Sequence, residues 1–230
     1  MLDGEYGFGN AMSKDLNWEA AISGLGEQWT FANTMQKNYA CCGQTFVAID
    51  ATVELRNAQQ LGADDIASIH VGTYAAALEI CADYHPNTAF EGKFSLPYCV
   101  AVAVIDARVR LDAFDDTHLR DANLRELMTK VELAVDEQCE DVFPQLRSAR
   151  VTIHTKDGRE FKHYTKSREG DSEAPLSDAE IVDKYRELAT PLLGQGLAET
   201  LLDELWRVDV LDDINALPLA HAQALSAAGI

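Results

Sequence analysis

Apolar positions change their spacing along the chain, and each change marks an element. From Gln44 to Gln60, Phe46, Ile49 and Val53 form one stripe and Val47, Ala51, Leu55 and Ala58 another. That is helical spacing, with Gly62 as a stop. Ile66 to Val71 alternates Ile66, Ser68 and His70 against Ala67, Ile69 and Val71, which predicts a strand. Lys93 to Arg108 is apolar nearly all round, so periodicity alone fits a buried helix or a buried strand. Its length and Ala101, Ala103 and Ala107 favour a helix, with Pro97 tolerated only in the first turn. A short helix over Asp121–Met128 and a strand over Lys130–Val135 follow. Val151–Thr155 and Arg159–Tyr164 flank Asp157-Gly158, a two-residue hairpin signal. Ser177-Asp178-Ala179-Glu180 is a capping box that opens a helix through Leu188. Helical spacing then continues to the end through Leu197, Leu201, Leu202 and Leu205, and from Val210 to Leu217. The stretch up to Thr34 is glycine-rich, with a short helix near Trp18–Ser23. Lys37–Cys42 reads as extended and Arg168–Pro175 as a polar linker. The order predicts an α+β fold: an antiparallel sheet with packed helices and a C-terminal helical appendix.

Composition narrows the partners. The chain has 230 residues, 47% hydrophobic and 25% charged, the balance of a soluble globular protein. A net charge of -19 disfavours nucleic acid and anionic membrane surfaces, while leaving room for an anionic substrate in a locally cationic pocket. The longest apolar run, Cys99–Ile105, is too short to span a bilayer. The N-terminus lacks a basic segment and an apolar segment, so no signal peptide is expected. Five cysteines without a CxxC pair predict free thiols in a reducing cytoplasm, with no zinc or iron–sulfur cluster and no cofactor.

Several residues carry candidate chemistry. On a two-residue turn His154 faces Phe161, which would make His154 and His163 diagonal neighbours on one polar sheet face; without a third ligand they do not make a metal site. His85, before Pro86 in a loop, is either exposed or an acid/base group. Lys93-Phe94-Ser95 at a helix start could cradle a carboxylate, or be an exposed lysine beside an ordinary serine cap. Lys37 with Cys41-Cys42-Gly43 brings a cation and two thiols to the approach of a helix, where Cys42 is either tuned or a buried structural thiol. The doublets Asp64-Asp65, Asp115-Asp116 and Asp212-Asp213 lack calcium-loop spacing and read as turns and caps.

Taken together, these segments resemble the MmgE/PrpD family. Lys37-Asn38-Tyr39-Ala40-Cys41-Cys42-Gly43-Gln44-Thr45-Phe46-Val47-Ala48-Ile49-Asp50-Ala51 resembles its lysine-aromatic, Cys/His-rich stretch running into a helix. Glu91-Gly92-Lys93-Phe94-Ser95-Leu96-Pro97-Tyr98-Cys99-Val100-Ala101 resembles its KFSLPYCVA element, and Ile105–Val109, the hairpin and the Ser177 helix also fit. Leu2–Phe8 is similar to a mid-chain segment of the family, so the resemblance is to the C-terminal half. It implies an α+β small domain at about 36–167, preceded by a residual helical-domain segment (1–35) and followed by a linker and helical-domain helices (168–230). It further implies cofactor-independent proton transfer next to a carboxylate on small di- or tricarboxylic acids: dehydration, decarboxylation or epimerisation. Lys37 and Cys42 would be catalytic and Lys93, Ser95 and His85 substrate-binding. A homodimer, or a separate helical partner subunit, would complete the site. The chain departs from the family in having no histidine between Lys37 and Asp50; Cys42 and Phe46 stand where relatives carry imidazoles. A non-catalytic member that binds carboxylates or a protein is the alternative.

Overall fold

The computed structural model describes residues 4–217. These fall into two compact units, divided between Thr34 and Met35. The first holds helices α1 (Phe8–Met12) and α2 (Trp18–Ile22, capped by Asn17) and a 3-10 turn at Thr30–Asn33. Most of its large apolar side chains face solvent, including Tyr6, Phe8, Trp29 and Phe31.

The second unit begins with an irregular segment at 35–45. It continues through α3 (Phe46–Gln59), β1 (Ile66–Thr73), α4 (Ala75–Cys81), α5 (Ala89–Lys93), α6 (Leu96–Asp106), α7 (Asp116–Leu119) and α8 (Ala122–Met128). Then come β2 (Val131–Val135), α9 (Glu137–Val142), β3 (Ala149–Thr155), β4 (Glu160–Thr165), α10 (Asp178–Leu193) and α11 (Gln195–Leu205). The expected helical spacing past Leu217 lies outside the described residues.

Helix α6 is the centre. Every residue from Leu96 to Val104 is buried, as an all-round apolar helix requires. Ser95 caps it, Pro97 sits in its first turn, and Ala107 ends it in a left-handed conformation at φ 57°. The helix expected from Lys93 is in fact two: Thr88 caps the short α5, and the chain turns at Phe94 before α6 begins. Helix α3 packs on α6, β3 and β4, and α8 packs on α6.

The four-stranded sheet has the order β2-β1-β3-β4. It is mixed, which corrects the antiparallel expectation: β1 pairs parallel with β2, while β1–β3 and β3–β4 are antiparallel. The cause is the connection. Between β1 and β2 the chain runs through α4 to α8, long enough for the crossover that parallel neighbours need. Ile69 faces Ile153 and Val71 faces Val151 on the core side; Ser68, His70, Thr152 and His154 share the polar side.

The hairpin register is also corrected. Thr155 N–H donates to the Arg159 carbonyl, leaving Lys156, Asp157 and Gly158 as a three-residue loop with Gly158 at φ 87°. His154 therefore faces Glu160, and Val151 faces His163, so the two histidines lie on opposite faces. His154 instead meets His70 edge-on, ring centroids 5.1 Å apart. No helix among the described residues is long and apolar enough to cross a membrane.

Candidate functional site

The segment expected as a polar linker is an anchor. Gln36 N–H donates to the Gly170 carbonyl at 2.9 Å, Glu169 N–H donates to Asp50 Oδ2 at 3.0 Å, and Arg168 pairs with Asp171 at 2.7 Å. Gly170 has φ 97°, and a Cβ there would lie 2.0 Å from the Gln36 carbonyl oxygen, so only glycine permits the approach. The anchor holds 35–45 between the sheet unit and α10.

Lys37 is exposed and lines a cavity of about 200 Å³ with Asn38, Tyr39, Arg110, Lys184 and Glu187. Arg110 Nη1 donates to the Asn38 carbonyl at 3.0 Å, and Lys184 donates to the Lys37 carbonyl. Three cations thus converge where the sequence singled out one. Burial and the nearby Arg110 and Lys37 charges hold Lys184 below the usual lysine range, against the opposing pull of Glu187. A net positive pocket in a chain of charge -19 suits a small anion.

Cys42 lies past Lys37 along the same segment. Its N–H donates to the Lys93 carbonyl at 2.8 Å, which brings the backbones of two candidates together. Its thiol is pushed down to about 6 by a hydrogen bond from the Cys81 thiol, with help from the Gln44 N–H and the Lys37 charge and against burial. The thiol is half-buried, whereas Cys41, Cys81, Cys99 and Cys139 are buried.

Lys93 is half-buried at the end of α5, its ammonium 5.8 Å from the Phe114 ring centroid. Ser95 is fully buried; its hydroxyl accepts from Tyr98 N–H at 3.2 Å and donates to the Asp83 carbonyl at 2.5 Å. That serine does the capping work that the sequence offered as the plainer reading. Asp83 links it to His85, whose N–H donates to Asp83 Oδ1 at 2.8 Å. The His85 imidazole is exposed on this loop. The structure therefore joins Lys37, Cys42 and Lys93 along one segment and sets Ser95 and His85 beyond them.

A second group went unrecognised in the sequence. Tyr39 donates to Asp50 Oδ1 at 2.6 Å, and Asn38 Nδ2 donates to Glu169 Oε2 at 2.6 Å. Burial raises Asp50 to about 6, opposed by the Tyr39 and Glu169 N–H bonds. Burial, then the charges of Asp50 and Glu180, raise Glu169 to about 7. Tyr39 and Asp50 sat inside the quoted motif, but Glu169 lies far along the chain in what read as a linker, and no local signal pairs it with them. Among the described residues no group of three or more His, Cys, Asp or Glu side chains is arranged to hold a metal ion.

Residues 39–208 match the MmgE/PrpD C-terminal domain. A cis-aconitate decarboxylase of Aspergillus terreus is 26% identical over 219 residues, covering 91% of this chain and 44% of the relative. A cis-aconitate decarboxylase-like protein, oryM, of Aspergillus oryzae is 22% identical over 217 residues, covering 91% and 45%. The Homo sapiens cis-aconitate decarboxylase is 25% identical over 134 residues, covering 57% and 27%. The chain spans less than half the length of each of these relatives. With the mixed sheet, the buried α6 and the Lys37–Cys42 segment all inside the matched range, the chain belongs to the MmgE/PrpD family through its C-terminal domain.

Proposed function

We propose that this chain is the carboxylate-binding component of a cofactor-independent lyase acting on small di- or tricarboxylic acids. The observation that carries the reading is the convergence of Lys37, Arg110 and Lys184 on one cavity of an otherwise acidic protein. Family membership and the cis-aconitate decarboxylase relatives supply the substrate class. Lys37 holds a substrate carboxylate by charge-assisted hydrogen bonds, and Lys93 adds to the field. Cys42, held near 6, exchanges the proton at the neighbouring carbon. Ser95 and His85 shape the substrate side of the loop, Ser95 through the cap it gives α6. A separate helical partner, or oligomerisation, completes the site; the exposed Leu205, Trp206 and Val210 after α10 and the apolar side chains of the first unit are the surfaces it would cover. The protein is expected to act in the cytoplasm.

Calorimetry with cis-aconitate and citrate, set against their methyl esters, tests the reading. Binding of the acids but not the esters, with turnover once the helical partner is added, is expected. An equal response to acid and ester ends it. One observation favours a second reading, a non-catalytic carboxylate binder: the segment from Lys37 to Asp50 has no imidazole. Binding that persists without turnover in the presence of the partner selects that alternative.

A further inference from the structure

Four of the five cysteines gather where the Lys37–Gly43 segment, α4 and the start of α6 meet; the fifth, Cys139, packs by Gly72 in β1. Cys41 contacts Thr45 Oγ1 at 3.1 Å and Cys99 donates to the Gly92 carbonyl at 3.6 Å, both in the buried core. Cys42 and Cys81 are placed differently. The strip Lys93–Ser95 lies between their segments: Cys42 N–H bonds the Lys93 carbonyl, and Ala82 bridges antiparallel to Ser95. This sets the Cys81 thiol against the Cys42 sulfur. Of the pair, Cys42 reaches the surface and Cys81, closing α4, does not.

We propose that Cys42 and Cys81 form a peroxide-responsive thiol pair, with Cys42 the site of oxidation and Cys81 the thiol that resolves it into an intramolecular disulfide. Access selects Cys42, because a peroxide must reach the sulfur and the other four are buried. The paired arrangement also separates the roles electrically. The Cys81 proton stabilises the Cys42 thiolate, and the Cys42 charge in turn keeps Cys81 protonated.

The chemistry closes with hydrogen peroxide as the oxidant. The Cys42 thiolate attacks one peroxide oxygen; an S–O bond forms, the O–O bond breaks, and hydroxide leaves and takes a proton from water. Cys42 is then a neutral sulfenic acid, so the charge that held the Cys81 proton is gone. Cys81 sulfur attacks the sulfenic sulfur; the S–S bond forms, the S–O bond breaks, and the departing hydroxide carries off the Cys81 proton as water. The two thiols lose two electrons and one peroxide becomes two waters. The disulfide removes the Cys42 thiol from the Lys37 corner, and dithiothreitol restores it.

The proposal shares Cys42 with the proposed function but is read out by thiol chemistry alone, so it can fail or hold whatever the turnover. The full chain is treated with hydrogen peroxide and mapped without reductant. A linked Cys42–Cys81 peptide pair lacking two hydrogens is expected. In Cys81→Ser, dimedone should trap a sulfenic acid on Cys42; in Cys42→Ser, no adduct should form on Cys81. Iodoacetamide at neutral pH should modify Cys42 of the unoxidised protein roughly tenfold or more faster than Cys81. A bond from Cys42 to Cys41, a bond between two chains, or oxidation that falls first on another cysteine overturns the proposal. The wild-type map decides the matter even if either variant folds poorly.

Discussion

The phenol of Tyr39 and the carboxylate of Asp50 meet at 2.6 Å, and Tyr39 lines both the Lys37 cavity and the cavity that holds Asp50 and Glu169. A burial-raised acid therefore stands directly behind the wall of the cationic pocket. Its titration is coupled to how firmly the 35–45 segment is held.

The sign of the pH effect follows from that burial. The folded protein holds the Asp50 proton up to about 6, above the 3.8 of a free aspartate, so it binds the proton more tightly than the unfolded chain does. Stability from this group is full below about 4 and is lost as pH rises through about 6, with an upper bound of about 3 kcal/mol. Glu169, raised to about 7, extends the loss in the same direction. Facing Asp50 are Tyr39, Arg168, Asp171 and Glu169, of which Arg168 opposes the rise and Asp171 adds to it. Urea unfolding should show higher stability at pH 5 than at pH 7.5. Asp50→Asn should flatten that slope, since its oxygen still accepts from Tyr39 while its amide forfeits the Glu169 bond. A slope unchanged in Asp50→Asn would remove Asp50 from the account.

Gly170→Ala tests the anchor. Its Cβ would meet the Gln36 carbonyl oxygen at 2.0 Å, in a left-handed conformation. Gly158→Ala shares the left-handed conformation, at φ 87°, but has nothing within 4 Å. Thermal unfolding should therefore place Gly170→Ala below Gly158→Ala by at least about 1 kcal/mol. Equal losses would mean that the chain relaxes around Gln36 and that the anchor contributes little.

Much of this fold was legible because its signals are local. The Ser177–Glu180 capping box starts α10 where the sequence put it, and Pro97 enters only in the first turn of α6. The hairpin was found but its register was not, because Asp157-Gly158 fits both a two-residue and a three-residue loop and one residue decides which face His154 takes. The parallel pairing of β1 with β2 was not legible, since five helices separate them and nothing in either strand names its neighbour. The site divides the same way. Lys37, Cys42 and Lys93 came from a contiguous motif, whereas Arg110, Lys184 and Glu169 reach it only through the tertiary path of α10 and the segment before it.

Ser95→Ala addresses what the serine does. Its hydroxyl caps α6 and binds the Asp83 carbonyl, both in a fully buried position. Losing a cap and leaving a buried carbonyl unpaired should lower stability by about 1–3 kcal/mol. Because that hydroxyl is engaged on both sides, affinity for cis-aconitate should change less than threefold while the unfolding midpoint falls. An affinity loss of tenfold or more at unchanged stability would instead make Ser95 a direct ligand contact.

The Lys37 pocket makes the last test. A charged hydrogen bond to a carboxylate contributes about 1.5–3 kcal/mol, so Lys37→Ala should weaken binding of a tricarboxylate roughly ten- to hundredfold. Lys166→Ala, an exposed lysine on the other side of the hairpin's last strand, should leave affinity unchanged. Affinity in the wild-type should also fall with salt, because Lys37 is exposed and its field is screened over about 10 Å at 0.1 M. Arg110→Ala should weaken binding less cleanly, since the same change removes its bond to the Asn38 carbonyl and loosens the pocket wall. Comparing the two separates charge from scaffold: Lys37→Ala should keep the wild-type unfolding midpoint and lose the salt dependence, whereas Arg110→Ala should lower the midpoint. If Lys37→Ala binds as tightly as the wild-type, the anion sits elsewhere and the cation cluster serves the fold alone.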